Sequence, residues 1–202
     1  MGRPHRIDVP GGYYHVHTRG NDRQAISFGN WSGRLFVREL ERASLRHGWR
    51  ILAYCLMENH YHLVMQIGDA GFSRGMCELN GRIAQTSNWH LKRVDHLFGK
   101  RFTSWLVDDD AYLFEVVRYV LLNPVRAKRG VRDPRHWRWS SMRPTIGLEH
   151  PPAFLDVGWI LGHFGRLPRA RVAFGEFVDA GIGRPRPVPG TVPEASRPRR
   201  AP

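Results

Sequence analysis

His60-Tyr61-His62, inside the run MENHYHLVM at 57–65, sets two imidazoles at alternate positions of a segment whose other residues read as β-strand. Alternate strand residues share a face, so both rings leave one surface together. Neutral imidazoles bind several divalent metals, and a pair is half of a site. His15-Val16-His17, in YYHVHTR at 13–19, repeats the pattern on another strand-like run, and spacing alone does not separate the two pairs. A second constellation sits in AYLFEVVRYVLLN at 111–123, a helical pattern. At 100° per residue Tyr112, Glu115, Tyr119 and Asn123 fall within roughly 80° of one another, beside an apolar stripe of Leu113, Val116, Val117 and Val120. Packing that stripe on a sheet brings Tyr119 and Asn123, one turn apart, to the margin where helix meets strand. A further metal ligand and an oxygen nucleophile are available there, with Tyr112 a competitor two turns earlier. Asp108, Asp109 and Asp110 read as negative charge at a helix N-terminus rather than as ligands, and Glu58 as a turn residue.

These residues need a sheet and a helix to hold them. YYHVHTR follows the Pro10-Gly11-Gly12 turn signal and predicts a first strand. An amphipathic helix is predicted from about Ser32 to His47, with Leu35, Phe36, Leu40 and Ala43 inward and Gly48 as its stop. WRILAYCLM (49–57) and HYHLVMQI (60–67), separated by Glu58-Asn59, predict an antiparallel hairpin. Ser73 is the expected cap of a helix running to about Lys92, with Met76, Leu79, Ile83 and Trp89 on or near one face. FTSWLVD (102–108) predicts another strand, and the Tyr119 helix is expected to end before Pro124. The expected organisation is a domain over 1–145, a helical extension over 146–180 and a disordered basic Pro/Arg-rich tail over 181–202. In the extension, Phe154, Leu155, Trp159, Ile160 and Phe164 are expected to pack on Val172, Phe174 and Phe177.

Lysine and arginine total 31 against 18 acidic residues among 202, a net charge of +13 that points to a polyanion, nucleic acid first. Cys55 and Cys77 form no disulfide or zinc-binding pattern, which suits a reducing compartment. No apolar run approaches the roughly 18 residues of a membrane span, nor does the N-terminus read as a signal peptide. The expected location is the cytoplasm, with no membrane partner.

Four segments in this order resemble one family. YHVHTRGNDRQ (14–24), AYCLMENHYHLVM (53–65), FTSWLVDDDAYLFEVVRYVLLNPVRA (102–127) and WRWSSM (137–142) are similar to the REP-associated tyrosine transposases, in the insertion-sequence-200-like, single-tyrosine branch of the HUH endonucleases. The resemblance spans about residues 11 to 143. It implies an α/β (α+β) fold: a central antiparallel sheet with packed helices, ferredoxin-like, followed here by the helical extension. It further implies a metal-dependent endonuclease and strand transferase that cuts single-stranded DNA beside hairpin repeats and leaves a 5′-phosphotyrosine. By motif position Tyr119 is the nucleophile, and His60, His62 and Asn123 hold a divalent metal, Mg2+ or Mn2+. His15 takes a supporting place, since a histidine is usual at its position and is not at that of His17. Expected DNA contacts are Arg19, Asn21, Arg23, Arg82, Lys92, Arg93, Lys100 and Arg101, with hairpin or single-stranded DNA as partner and a monomer or homodimer as the working form. The alternatives are a non-catalytic binder of structured single strands and a metal hydrolase in which water attacks.

Overall fold

The alternation that marks the strands in the sequence also divides the molecule into layers. The computed structural model describes residues 8–69, 71–127 and 131–187. Strands β1 (Tyr13–Arg19), β2 (Arg50–Leu56), β3 (His60–Gln66) and β4 (Thr103–Val107) form one sheet in the order β2-β3-β1-β4, each neighbouring pair antiparallel. Helix α1 (Asn30–His47) joins β1 to β2 and α2 (Phe72–Leu91) joins β3 to β4. This is the βαββαβ succession of ferredoxin-like folds, as the resemblance implied.

One face of the sheet carries Tyr14, Val16, Tyr54, Tyr61, Leu63 and Met65 and packs against Phe36 and Leu40 of α1 and Phe72, Met76, Leu79 and Ile83 of α2. The other face, with Ala53, Cys55 and Val64, lies under Leu113, Val116, Val117 and Val120 of α3 (Asp110–Leu121). A register shift between Ile51 and Ala53 lets Leu52 join this second face. The histidines therefore sit on the α3 side, the odd face of β1 and the even face of β3.

Helix ends follow backbone chemistry. Gly48, at φ +63°, closes α1 in the left-handed conformation that glycine adopts freely. The start of α2 differs from the expectation: Gly71, at φ +57°, precedes the helix, and Ser73 is an exposed residue inside its first turn. Burial of Phe72, its ring tilted against Tyr14 at 4.9 Å, draws the helix start to the residue before the serine. Trp89 is not on the buried face but 80% exposed, because α2 continues past the core after Ile83 and Ser87. Asp109 caps α3, its Oδ1 accepting from the Tyr112 backbone N–H at 2.7 Å. The helix breaks at Leu122 as Pro124 requires, yet the chain resumes at once as a short turn, α4 (Asn123–Arg126).

Beyond α4 the chain closes an edge. The outer side of β2 is hydrogen-bonded by 139–141 and 154–156: Leu56 N–H donates to Trp139 O, Ser141 N–H to Tyr54 O and Asp156 N–H to Ile51 O. Covering the edge removes an unpaired template for other chains. Helices α5 (Met142–Thr145), α6 (Val157–Gly162) and α7 (Arg169–Asp179) follow. Ile160, Leu161, Phe174 and Val178 share one core with α3, and Phe164 lies 5.3 Å from both Phe174 and Phe177. Two expected members of that pair lie elsewhere. Phe154 and Leu155 belong to the α1/α2 core, held there by the extended pairing beside β2, and Val172 is 62% exposed. Of the expected tail, 181–187 is described and 188–202 lies outside the described residues. Among the described residues, no helix is long and apolar enough to cross a membrane.

Candidate functional site

Strand pairing gathers what the sequence keeps apart. In the β1–β3 register His17 faces His62 and Arg19 faces His60, while His15 lies diagonally from His62. The His17 ring lies 4.7 Å from His62 and 5.4 Å from His60, and His60 stands edge-on to His62 at 5.1 Å. One ring nitrogen from each of His17, His60 and His62 lies within 4.8 Å of the others. Nitrogens that share one ion at about 2.1 Å stand roughly 3 to 3.5 Å apart, so the three rings would draw closer together to converge on it. Both rings of the original pair are also oriented from behind. His60 Nδ1 donates to Asn59 Oδ1 at 2.7 Å, and His62 Nδ1 is bonded to His15 Nε2 at 2.9 Å, which leaves each Nε2 for the cluster.

Burial keeps these rings neutral, the form that ligates. Desolvation, then Arg186 and His17, lowers His15 to about 3. His17 falls to about 4 through burial, then His60, Arg19 and Arg186. His60 also falls to about 4, through burial and then Arg19, opposed by a side-chain hydrogen bond with Asn123. His62 is pushed well below its ordinary value by burial and then by His15, His17, His60 and Arg186. Asn123 Nδ2 donates to Tyr119 O at 2.9 Å and to Val120 O at 3.3 Å, so its Oδ1 is the atom turned toward His60. Three imidazole nitrogens and an amide oxygen fit a divalent metal.

Helix α3 lays Tyr119 across this cluster. Its ring stands edge-on to His62 at 5.7 Å and to His15 at 6.0 Å. The guanidinium groups of Arg126 and Arg186 lie over the same ring, 5.2 and 5.4 Å from its centroid. Tyr112 is 8% exposed, burial raises its pKa, and its ring makes no described contact with a histidine. Glu115, which shares the tyrosine face of the helix, is paired with Arg118 in the interior. Among the described residues, no aspartate of the 108–110 run joins the ligand cluster, and Asp109 serves as the α3 cap.

A sequence model of the family described as "Transposase IS200 like" matches residues 8–122, more than half of the chain, and so takes in the sheet, the histidines and Tyr119. The chain belongs to the IS200-like transposase family. No curated protein matches it. The solved structure of a REP-associated tyrosine transposase bound to a REP hairpin superposes with a TM-score of 0.62 at 17% identity, covering 75% of this chain and 89% of that one. At that identity the likeness establishes the fold. In this IS200-like transposase Asn123, Arg126, the WRWSS segment, α6, α7 and Arg186 all lie beyond the matched stretch.

Two concavities flank the transposase's histidines. Five of the eight residues expected to touch DNA, Arg19, Asn21, Arg23, Lys100 and Arg101, line one groove of about 530 Å³ together with His17. The other three lie apart from that groove. Arg93 donates to Gln24 Oε1 at 2.9 Å, Lys92 is the left-handed cap of α2, and Arg82 is exposed along α2. The second concavity, about 550 Å³, is bounded by Ser27, Gly29, Met57, His60, Trp137 and Trp139. Trp137 is fixed there by donating its Nε1–H to Leu56 O at 2.8 Å. Sequence reasoning missed two things here. His17 was set aside although it repeats the His-x-His pattern, and antiparallel pairing of the two histidine strands was the signal for including it. The WRW run signalled the second concavity, but only its pairing with β2 places it beside His60.

Proposed function

We propose that this IS200-like transposase nicks and rejoins single-stranded DNA next to hairpin repeats, with Tyr119 as nucleophile. The observation that carries the reading is the placement of the Tyr119 ring 5.7 Å from His62, at the edge of a neutral three-histidine cluster. Tyr119 Oη attacks the scissile phosphorus in line, the bond from phosphorus to the 3′-oxygen breaks, and a 5′-phosphotyrosine forms. The phenol proton is lost to solvent, and the departing oxygen takes one up as a free 3′-hydroxyl. Because the phosphotyrosine is a diester, a later 3′-hydroxyl can attack it and reseal a strand without a nucleotide cofactor.

His17, His60, His62 and Asn123 would hold a divalent metal. Such an ion supplies charge stabilisation to the phosphoryl oxygens. The nitrogen-rich set favours Mn2+ or another borderline transition ion over Mg2+, which prefers oxygen ligands and keeps its waters. His15 orients His62, and Asn59 orients His60. Arg126 and Arg186 balance charge on the phenol oxygen and on the phosphate it approaches. The groove of Arg19, Arg23, Lys100 and Arg101 grips the sugar–phosphate backbone. The chain would work in the cytoplasm, as a monomer or homodimer.

The test mixes the protein with end-labelled hairpin DNA carrying single-stranded flanks, plus Mn2+. A denaturation-resistant protein–DNA adduct is expected, absent with chelator and absent in Tyr119→Phe. Free 5′-phosphate product with a normal rate in Tyr119→Phe would mean that water is the nucleophile. Tight salt-sensitive binding with no cleavage would mean a binding protein.

A further inference from the structure

Trp89 exposes 80% of its surface at the end of α2, and the core it passes by has no use for it. Its neighbour in the chain opens onto a row of rings. His90, the next residue, lies 4.2 Å from the Trp31 ring in the first turn of α1, and Trp31 is nearly parallel to Phe28, with 8° between planes and 6.2 Å between centroids. Phe28 and Trp31 are half-buried, whereas His90 and Trp89 are exposed, so each ring offers surface to solvent. The row has a direction. Ser27 and Gly29, on either side of Phe28, line the concavity that also holds His60. Its far wall is Trp139, against which α1 packs so closely that a Cβ on Gly33 would lie 2.2 Å from the indole.

Cations predominate in the two segments that carry the row, with Asp22, Glu39 and Asp95 just beyond their ends. Residues 23–38 and 82–94 contain no aspartate or glutamate and carry Arg23, Arg34, Arg82, Lys92 and Arg93, besides Arg38, which is paired with Glu39. Exposed aromatics among cations, without an acidic neighbour in either segment, match a chain of flat bases joined by phosphates. Bases stack on such rings whatever their sequence, and the cations track the backbone. A duplex stem hides its bases and cannot use the rings; an unpaired strand can.

We propose that Phe28, Trp31, His90 and Trp89 form a stacking track for the unpaired DNA strand that leads away from the nicking site. The track divides the labour of binding. The basic groove at Arg19, Lys100 and Arg101 takes phosphates, and the aromatic row takes bases. The direction of the track rests on the nicking site proposed above; the stacking itself does not.

Fluorescence anisotropy with three labelled hairpins tests it: one with a blunt stem, one with an unpaired flank, one with the same flank made abasic. The flank should tighten binding to the wild-type protein by about tenfold or more, and removing its bases should cancel that gain. Trp31→Ala/Trp89→Ala should bind the flanked and abasic hairpins equally, with its affinity for the blunt stem unchanged. Trp89→Ala, at an exposed position that leaves the core intact, should lose part of the gain. If the double variant still distinguishes bases from abasic sites as the wild type does, or loses blunt-stem and flanked affinity alike, the track is wrong. Adduct formation is scored separately. A wild-type protein that shows the base-dependent gain yet forms no adduct keeps the track and loses the nicking reading, and the reverse result does the opposite.

Discussion

Burial fixes the charge of the site before any ligand arrives. His15, His17, His60 and His62 face one another, with Arg19 and Arg186 as the nearby cations, and the folded chain holds all four imidazoles below their ordinary range. The free value is about 6.5, so between that pH and about 4 the unfolded chain binds more protons than the folded one. Stability contributed by the neutral cluster is therefore complete above about pH 6.5 and declines as pH falls. Thermal melts of the metal-free protein should shift to lower temperature from pH 7 to pH 5, where carboxylates still contribute little. A His15→Asn/His17→Asn variant should show a shallower slope over that window. An equal slope in the two proteins would place the titrating groups elsewhere. At this scale the sequence was half legible. His60, His62, Tyr119 and Asn123 stand out by spacing and by their segments, but the admission of His17 depends on which strand lies beside β3, and strand order is not written in any local run of residues.

The Tyr119 helix carries its own start signal, and that signal separates structure from chemistry. Asp109 accepts the Tyr112 N–H and satisfies a donor that the helix leaves open. Asp109→Ala should cost about 1 kcal/mol of folding free energy, read by urea denaturation, with adduct yield at saturating metal unchanged. A variant of normal stability that forms no adduct would instead put the carboxylate in the site. Elements with strong local signals were readable in advance: the β2–β3 hairpin from its two apolar runs about Glu58-Asn59, and α1 from its stripe and Gly48. Ser73 misled because a good cap residue lost to the burial of Phe72, with Gly71 supplying the turn. Phe154 and Leu155 misled for a related reason. Their apolar pattern suggested a helix pair, while the decisive interaction was with the edge of β2, about a hundred residues away.

The net charge of +13 becomes informative once the fold sorts it. Arg19, Arg23, Lys100 and Arg101 come from two distant stretches and meet in one groove beside His17, so they should act together on phosphates. Binding of hairpin DNA should weaken steeply with salt, and Lys100→Ala/Arg101→Ala should flatten the slope of log K against log[salt] by roughly 0.7–0.9 per charge removed. An unchanged slope would move the backbone contacts to another surface. The mechanism turns on one oxygen atom, and the most direct measurement finds the atom that DNA is attached to. The adduct formed with hairpin DNA and Mn2+ is digested with nuclease and trypsin, and the nucleotide-bearing peptide is sequenced by mass spectrometry. Trypsin cuts after Arg118 and Arg126, so the account predicts a 5′-phosphorylated nucleotide on the 119–126 peptide, at Tyr119. A nucleotide on Tyr112, in the 102–118 peptide, or cleavage with no modified peptide at all, would contradict it.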